Sequence, residues 1–189
     1  MQSLEKRLTA FSPEVRPPIF PETDVSYAVT ESPVGPLVLA ATDAGLVTCA
    51  YGNEAEVTER IAKAISPRLL RSPGRLEEAR RELDAYFEGR LRKFSVRVDL
   101  SCAAPFGRAV LESLEQVPYG ATTSYASLAR RIGNSNAARA VGGALGRNPI
   151  CIIVPCHRVL RTGGDLGGYA GGLPIKRALL RLEGAALFD

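Results

Sequence analysis

The 189-residue sequence has few of the residues on which metal sites depend. It contains one histidine, His157, and its four cysteines, Cys49, Cys102, Cys151 and Cys156, form no Cys-x-x-Cys pair. Structural zinc sites generally need four Cys or His ligands, most of them at short spacings. We therefore expect no bound metal.

Long apolar stretches are also missing. No stretch approaches the roughly 18 residues that cross a membrane, and the beginning of the chain has no apolar signal-peptide core. We expect no membrane partner and a cytoplasmic location, where reducing conditions keep thiols unpaired.

Charge is unevenly placed along the chain. The net charge is +4, but residues 101–189 hold ten Lys or Arg against five Asp or Glu, while residues 1–100 are close to neutral. A basic half is compatible with a polyanionic partner such as DNA, although many basic domains bind none.

The first hundred residues change character near position 25. Residues 1–24 contain four prolines and little periodicity, which indicates a flexible extension with one short helix at 4–9. The elements predicted after it are strands at 25–30, 36–42 and 46–51 in an antiparallel meander, helices at 54–65 and 75–87, and a strand at 94–100.

Basic residues cluster at 80–81 and 90–93. They could form a binding patch, but glutamates stand nearby, so we favour a solvated helix face. A domain boundary is predicted near 101–105.

The last third of the chain is mainly helical by pattern. A helix at 105–116 begins with Pro105, a second is capped by Thr123 or Ser124 and runs to Arg131, and a third spans 136–145. Because Gly133-Asn134 separates the second helix from the third, the pair is typical of a helix-turn-helix.

The third of these helices has unusually small side chains. Its small residues are Ala137, Ala138, Ala140, Gly142, Gly143 and Ala144. Two glycines in a helix cost roughly 1 kcal/mol each relative to alanine, so they need a reason. Close approach of an outside backbone and tight packing within the domain explain them equally well.

Chemistry is concentrated in residues 148–159. The apolar run 150–154 predicts a buried extended segment that ends at Pro155 and places Cys156 at a turn, followed by His157 and Arg158. A thiol becomes nucleophilic as the thiolate, which a nearby imidazole and positive charge favour. Cys156 could instead be only a small buried hydrophobic residue. Its neighbours His157 and Arg158 argue against this, because both are costly to bury unpaired.

Pro155-Cys156-His157-Arg158-Val159, with Asn148-Pro149 before it and a Gly-Gly-Tyr-x-Gly-Gly loop after it, resembles the signature of the O6-alkylguanine-DNA alkyltransferases. The similarity runs from about 106 to 184, and residues 25–100 match that family in outline only. The resemblance implies an α/β protein. A ribonuclease H-like domain with an antiparallel sheet would span 25–100, and a winged helix-turn-helix DNA-binding and catalytic domain would span 101–189.

The resemblance also implies an activity. Members of the family flip O6-alkylguanine out of double-stranded DNA and transfer its alkyl group to a cysteine, here Cys156. Glu183 would orient His157, which would activate Cys156 through a water, and Tyr125 would hydrogen-bond the leaving base. Each molecule would react once and need no cofactor. Alkylthymine is a second possible substrate.

Other residues follow from the same resemblance. Arg139 would enter the base stack in place of the flipped nucleotide, with the slim third helix in the minor groove. Tyr169 would pack on the base, and Ala170, where the family often has serine, would offer a backbone amide. The further binding residues suggested are Ala138, Asn148, Arg158, Val159 and Lys176. We expect a monomer and leave cooperativity on DNA open.

Some of these residues have plainer alternatives. Without the resemblance, Glu183 would be a surface carboxylate paired with Arg177 or Arg181, and Tyr125 would be helix packing. Three rival functions also stay open at this point: a lesion-binding protein without chemistry, a Cys-His hydrolase, and a sequence-specific DNA-binding regulator. Reaction with a methylated duplex, turnover of acyl substrates and sequence-specific binding would separate them.

Overall fold

A computed structural model describes residues 23–185, so the predicted extension and its helix at 4–9 lie almost wholly outside the described part of the chain. The strands and helices are, in order, β1 (Val25–Thr30), β2 (Leu37–Thr42), β3 (Gly45–Tyr51), α1 (Glu54–Ala64), β4 (Leu69–Arg71), α2 (Glu77–Phe87), α3 (Pro105–Ser113), β5 (Thr123–Ser124), α4 (Tyr125–Arg131), α5 (Ala138–Gly146), β6 (Val159–Leu160) and α6 (Leu173–Leu182). Short 3-10 helices occur at Pro73–Leu76, Leu114–Gln116 and Cys156–Arg158.

The predicted meander of β1, β2 and β3 is confirmed. The larger sheet of the described residues has the order β3-β2-β1-β4, with β4 added parallel to β1. Strand β4 was not predicted, because three residues are too few to show an alternating pattern.

Alternating side chains of β2 bury both faces of this sheet. Leu37 and Leu39 enter the main core with α2 and the helices that follow it, whereas Val38 and Ala40 pack with Val57 of α1. Since successive residues of a strand point to opposite faces, one strand joins two apolar layers. The result is the mixed α/β architecture expected from the sequence.

The predicted strand at 94–100 is wrong as a strand. Its only bridge within the described residues joins Val98 to Leu46. The Glu82 carboxylate accepts the backbone N–H groups of Ser95 (2.9 Å) and Val96 (3.1 Å), so these groups are not available to a neighbouring strand. The alternation still turns Phe94, Val96 and Val98 toward the core.

The basic residues of α2 form a solvated face, as favoured above. The exposed Arg80 is paired with Glu77 at 2.7 Å and with Asp84 at 2.6 Å. Pairs of this kind contribute little to stability, and they leave no excess positive charge on that helix.

The predicted helix-turn-helix is confirmed in α4 and α5. The Ser124 hydroxyl caps α4 by accepting the backbone N–H of Ser127 at 3.1 Å, and Gly133 ends it with a left-handed φ of 77°.

No helix among residues 23–185 is long and apolar enough to span a membrane.

Strand β3 joins the sheet to the Cys-His-Arg region. Its outer edge pairs with Val98 near the start of the strand and with Ile150 further along. The second pairing is made by hydrogen bonds from Cys49 N to Pro149 O (2.9 Å) and from Cys151 N to Cys49 O (2.7 Å). The segment that leads to Cys156 is therefore held against the edge of the sheet.

We predict that Gly45→Ala destabilises the fold much more than Gly35→Ala. Both glycines have positive φ, 142° and 95°, but a Cβ on Gly45 would lie 2.7 Å from the Arg97 carbonyl oxygen, whereas nothing lies within 4 Å of a Cβ on Gly35. We expect a loss of about 1–2 kcal/mol at Gly35 from backbone strain, and about 2 kcal/mol more at Gly45 from the clash. Urea unfolding measures both, and equal losses would contradict the contact with Arg97.

Candidate active site

The segment 150–154 is a turn and not the extended run that its composition predicts. The Asn148 side chain accepts from Ile150 N (3.0 Å) and donates to Val154 O (2.9 Å), so the chain wraps around one amide group. Ile152 takes a left-handed φ of 72° in this turn and is fully buried. A β-branched residue in that conformation is strained, and sequence patterns do not reveal such a turn.

Asn148 also holds the thiol of Cys156. Its Nδ2 donates to Cys156 Sγ at 3.1 Å, and the Cys156 residue is 6% exposed, at the beginning of a 3-10 helix. Asn148, suggested from the sequence as a binding residue, is thus tied to the Cys156 segment by a direct hydrogen bond. The chain turns at Cys156, as the sequence predicts.

The environment of Cys156 favours its thiolate. A hydrogen bond from the Cys151 thiol lowers the pKa of Cys156 most strongly, burial opposes that effect, and Asn148 and the charge of Lys176 lower the pKa further. The net direction is downward. A thiol with a lowered pKa and a small opening to solvent is typical of a reactive cysteine.

His157 and Arg158 are both buried, because they share one carboxylate. Glu183 Oε1 lies 2.9 Å from His157 Nε2 and accepts from Arg158 Nη2 at 2.9 Å, while Oε2 accepts from Arg158 Nε at 2.9 Å. A carboxylate can only accept, so Nε2 carries the imidazole proton and Nδ1 is left as an acceptor. Among residues 23–185, Nδ1 has no hydrogen-bond partner.

Glu183 is the buried centre of this cluster. Burial would raise the pKa of Glu183, but hydrogen bonds from His157 and Arg158 lower it to about 2. Tyr86 of α2 also donates to Oε1, at 2.7 Å. Burial lowers the pKa of His157 despite the carboxylate, so the imidazole is neutral. The surface pairing of Glu183 with Arg177 or Arg181 is not what the structure contains.

Two residues expected to bind DNA face inward instead. Arg158 donates to Glu183 and to Val117 O (2.7 Å), and it is 7% exposed, so its guanidinium is not available to a phosphate. Lys176 is fully buried and donates to the carbonyls of Val159 (2.6 Å) and Leu166. Burial lowers the pKa of Lys176 to about 8.

A cavity of about 600 Å³ opens beside Cys156. The residues expected at the site that line it are Tyr125, Ala138, Arg139, Cys156, Tyr169 and Ala170. The lining does not include the other residues expected at the site, which are Asn148, His157, Arg158, Val159, Lys176 and Glu183. The cavity therefore brings one sulfur, two phenols and two exposed arginines, Arg139 and Arg161, together.

The exposed face of α5 borders this cavity. Arg139, Ala140 and Gly143 are exposed, while Val141 and Leu145 pack inward. Gly142 lies under the ring of Tyr125, where a Cβ would be 3.6 Å from the ring. Gly142 thus serves internal packing, whereas Gly143 lies on the exposed face, where close approach of an outside backbone stays a prediction.

Four residues at or beside the site were missed from the sequence. Arg161 lines the cavity, Cys151 lowers the pKa of Cys156, and Tyr51 bonds Tyr169 with their hydroxyl oxygens 3.0 Å apart. Tyr86 completes the bonds of Glu183. Tyr51 and Tyr86 belong to distant elements, and no local pattern marks them. For Cys151 the sequence did offer a signal, because it lies only five residues before Cys156.

Comparison with known proteins gives consistent matches. Residues 105–185 match the family model described as 6-O-methylguanine DNA methyltransferase, DNA binding domain, and residues 25–100 match the model described as its ribonuclease-like domain. The methylated-DNA–protein-cysteine methyltransferase of Methanosarcina acetivorans is 43% identical over 159 residues, which are 84% of this chain and 98% of that protein. The corresponding Mycobacterium leprae protein is 43% identical over 81% of this chain and 88% of its own length.

Solved structures agree. The crystal structure of Mycobacterium tuberculosis O6-methylguanine methyltransferase superposes with a TM-score of 0.74 at 41% identity, covering 87% of this chain and 99% of that one. The Mycobacterium tuberculosis protein in complex with DNA gives a TM-score of 0.75 at the same identity and coverage.

We predict that Glu183→Gln lowers the free energy of unfolding by about 3–5 kcal/mol at neutral pH, because the change leaves the buried Arg158 guanidinium without its counter-charge. The exposed pair of Glu59 with Lys63 supplies the control: Glu59→Gln should cost less than about 0.5 kcal/mol. Denaturant unfolding compares the two variants, and equal losses would contradict the role of the buried cluster.

The same carboxylate predicts how stability depends on pH. The folded pKa of Glu183, about 2, lies below its ordinary value of 4.5, so its ionised form stabilises the fold above pH 4.5. That contribution falls away as the pH drops from 4.5 toward 2. The stability difference between the original chain and Glu183→Gln should therefore shrink over this interval, as thermal unfolding at stepped pH would show. A difference that stays constant down to pH 2 would contradict the assignment.

Proposed function

The chain belongs to the 6-O-methylguanine DNA methyltransferase family, and from this membership we propose that it repairs DNA by direct reversal, moving the alkyl group of O6-alkylguanine onto Cys156. The observation that carries the proposal is the position of the Cys156 sulfur. It is held by Asn148 at the wall of a cavity that also touches Tyr125 and the exposed face of α5. The cavity is of the size that ligand sites in proteins commonly have.

Activation of the nucleophile follows from the order of the hydrogen bonds. Glu183 keeps the proton of His157 on Nε2, which leaves the Nδ1 lone pair free to accept. A water between Nδ1 and Cys156 would pass the thiol proton to the imidazole. Because Arg158 already balances the charge of Glu183, the carboxylate can stabilise the imidazolium without itself taking up a proton.

The transfer step makes one bond and breaks one. The thiolate of Cys156 attacks the alkyl carbon, the carbon–sulfur bond forms, and the carbon–oxygen bond to guanine breaks with its electron pair on O6. The leaving base takes up a proton, for which the Tyr125 hydroxyl at the cavity wall would be the donor. The product thioether has no ready leaving group, so each molecule reacts once.

Recognition would come from the outer parts of the cavity. We place α5 in the minor groove, with Arg139 in the gap that the flipped base leaves, because Arg139 is exposed beside Ala140 and Gly143. Tyr169 would pack on the base, held by its bond to Tyr51, and the exposed Ala170 would offer its backbone N–H. Ala138 would border the opening, whereas the buried Val159 would act from behind the site, where its carbonyl accepts from Lys176.

Organisation into a domain at 25–100 and a catalytic domain at 101–189 is part of this proposal, and the two matched family models support it. DNA is the partner that the DNA-binding family model indicates. Alkylated guanine as the specific ligand, a monomeric state and a cytoplasmic location stay predictions.

We predict stoichiometric methylation. Incubation with a duplex carrying one O6-methylguanine should add about 14 Da to the intact protein, once per molecule and on Cys156, because the thiolate keeps the methyl group. Cys156→Ala should show no gain, and Cys102→Ser, which removes an exposed thiol away from the cavity, should react normally. Intact-protein mass spectrometry followed by peptide mapping reads the result. Binding without any gain in mass would leave a lesion-binding protein and overturn the enzymatic proposal.

We predict that Arg139→Ala separates base flipping from chemistry. Its methyl-transfer rate on duplex DNA should fall at least about tenfold, because unstacking a base costs a few kcal/mol that the arginine helps to offset. Its reaction with free O6-alkylguanine base, which needs no flipping, should be unchanged. Arg181→Ala removes the same charge from α6, outside the cavity lining, and should affect neither rate. Equal losses on duplex and free base would contradict the role given to Arg139.

A further inference from the structure

Arg161 lines the cavity beside Cys156 and has no part in the mechanism above. It is exposed, and among residues 23–185 its guanidinium makes no ion pair and no hydrogen bond. Exposed arginines of residues 25–100 differ in this respect, because Arg75, Arg80 and Arg90 are each paired with a carboxylate. Arg161 therefore brings an unbalanced positive charge to the wall of the cavity.

The backbone fixes the place from which this side chain starts. The Arg161 N–H donates to Asp165 O at 2.8 Å in the turn that follows β6. Strand β6 runs parallel to β5, with Leu160 opposite Ser124. The next residues along the two strands are Arg161 and Tyr125, and both line the cavity. Burial raises the pKa of Tyr125, and the charge of Arg161 opposes this rise, in agreement with their closeness.

A nucleotide that enters this cavity brings negative charge with it. Flipping rotates the whole nucleotide about its backbone, so the phosphates on either side of its sugar come to the mouth of the pocket that receives the base. A phosphodiester is ionised, and a guanidinium can bind it with two parallel N–H bonds. A cation at the cavity wall is therefore matched to the backbone of the flipped nucleotide and not to its neutral base.

Other cations near the site are not available for this phosphate. Within the described part of the chain, the cations in the cavity lining are Arg139 and Arg161. Arg139 fills the gap in the base stack in the mechanism proposed above. Arg158 and Lys176 are buried, the first bonded to a carboxylate and the second to backbone carbonyls. Arg161 is the cation that remains.

We propose that Arg161 binds a phosphate that flanks the flipped nucleotide, and that it holds this nucleotide in the cavity while Cys156 reacts. The ligand is a phosphodiester of the damaged nucleotide itself. The proposal rests on the proposed function, because it presupposes that an alkylated nucleotide enters the cavity.

The test compares one substrate with and without phosphate. Methyl transfer from the nucleoside O6-methyldeoxyguanosine, and from the same nucleoside carrying a phosphate on each side of the sugar, is timed by intact-protein mass spectrometry at equal ionic strength. The original chain should react about tenfold faster with the bisphosphate, because a hydrogen-bonded ion pair adds to binding. Arg161→Ala should lose this preference and keep its rate with the nucleoside. Arg161→Lys keeps the charge without the parallel bonds and should retain part of the preference.

Arg181→Ala supplies the matched control, because Arg181 is also exposed and makes no ion pair among residues 23–185, but lies outside the cavity lining. It should keep the preference. An Arg161→Ala variant that keeps the preference would overturn the proposal. An equal loss with the nucleoside would do the same, since the effect would then lie in the chemistry at Tyr125. A loss seen with a longer strand but not with the bisphosphate would place the contact on a neighbouring phosphate and also overturn it.

A second readout needs no methyl transfer. In a Cys102→Ser background, which removes the exposed thiol, a bound nucleotide should protect Cys156 from alkylation by iodoacetamide, as followed by peptide mass spectrometry. Deoxyguanosine bisphosphate should protect at about tenfold lower concentration than deoxyguanosine, and Arg161→Ala should remove the difference. A chain that shows this difference but accepts no methyl group would lose the proposed function and keep the phosphate site. Methyl transfer without the difference would overturn the phosphate site alone.

Discussion

The ionised carboxylate of Glu183 is the constraint on which the active site depends. A buried charge is tolerated only when it is paired and hydrogen-bonded, and here Arg158, His157 and Tyr86 all converge on two oxygens. Arg158 also binds Val117 O, and Tyr86 comes from α2. One carboxylate thus ties together the first half of the chain, the segment that follows α3 and the 3-10 helix after it, and the reactive segment.

Electrostatic balance in this cluster sets the state of each reacting group. Arg158 neutralises Glu183, so His157 can stay neutral while keeping a fixed tautomer. The positive charge of Lys176 and the donors around Asn148 act on Cys156 instead. The two groups of residues therefore have different effects: Glu183 and Arg158 keep the His157 imidazole neutral, whereas Lys176 and Asn148 stabilise the thiolate form of Cys156.

Sequence reasoning worked where a residue carries its own signal. Strand alternation located β1 to β3, the Ser124 cap and Gly133 located α4, and a Cys-His-Arg motif pointed to the cysteine that lines the cavity. It failed where a side chain decides the backbone: Glu82 takes the N–H groups of the segment at 94–100, and Asn148 bends an apolar run into a turn. It also placed Arg158 on DNA, because a motif does not say which way a side chain points.

The turn that carries the chemistry also protects the sheet. Strand β3 is an edge strand, and an uncovered edge is a template on which a second chain can add a strand. Residues 97–99 cover one end of that edge and residues 149–151 cover the other, while the opposite edge, β4, is only three residues long. Any change that loosens the Asn148 turn therefore has two effects at once: it releases the sulfur, and it opens an edge to aggregation.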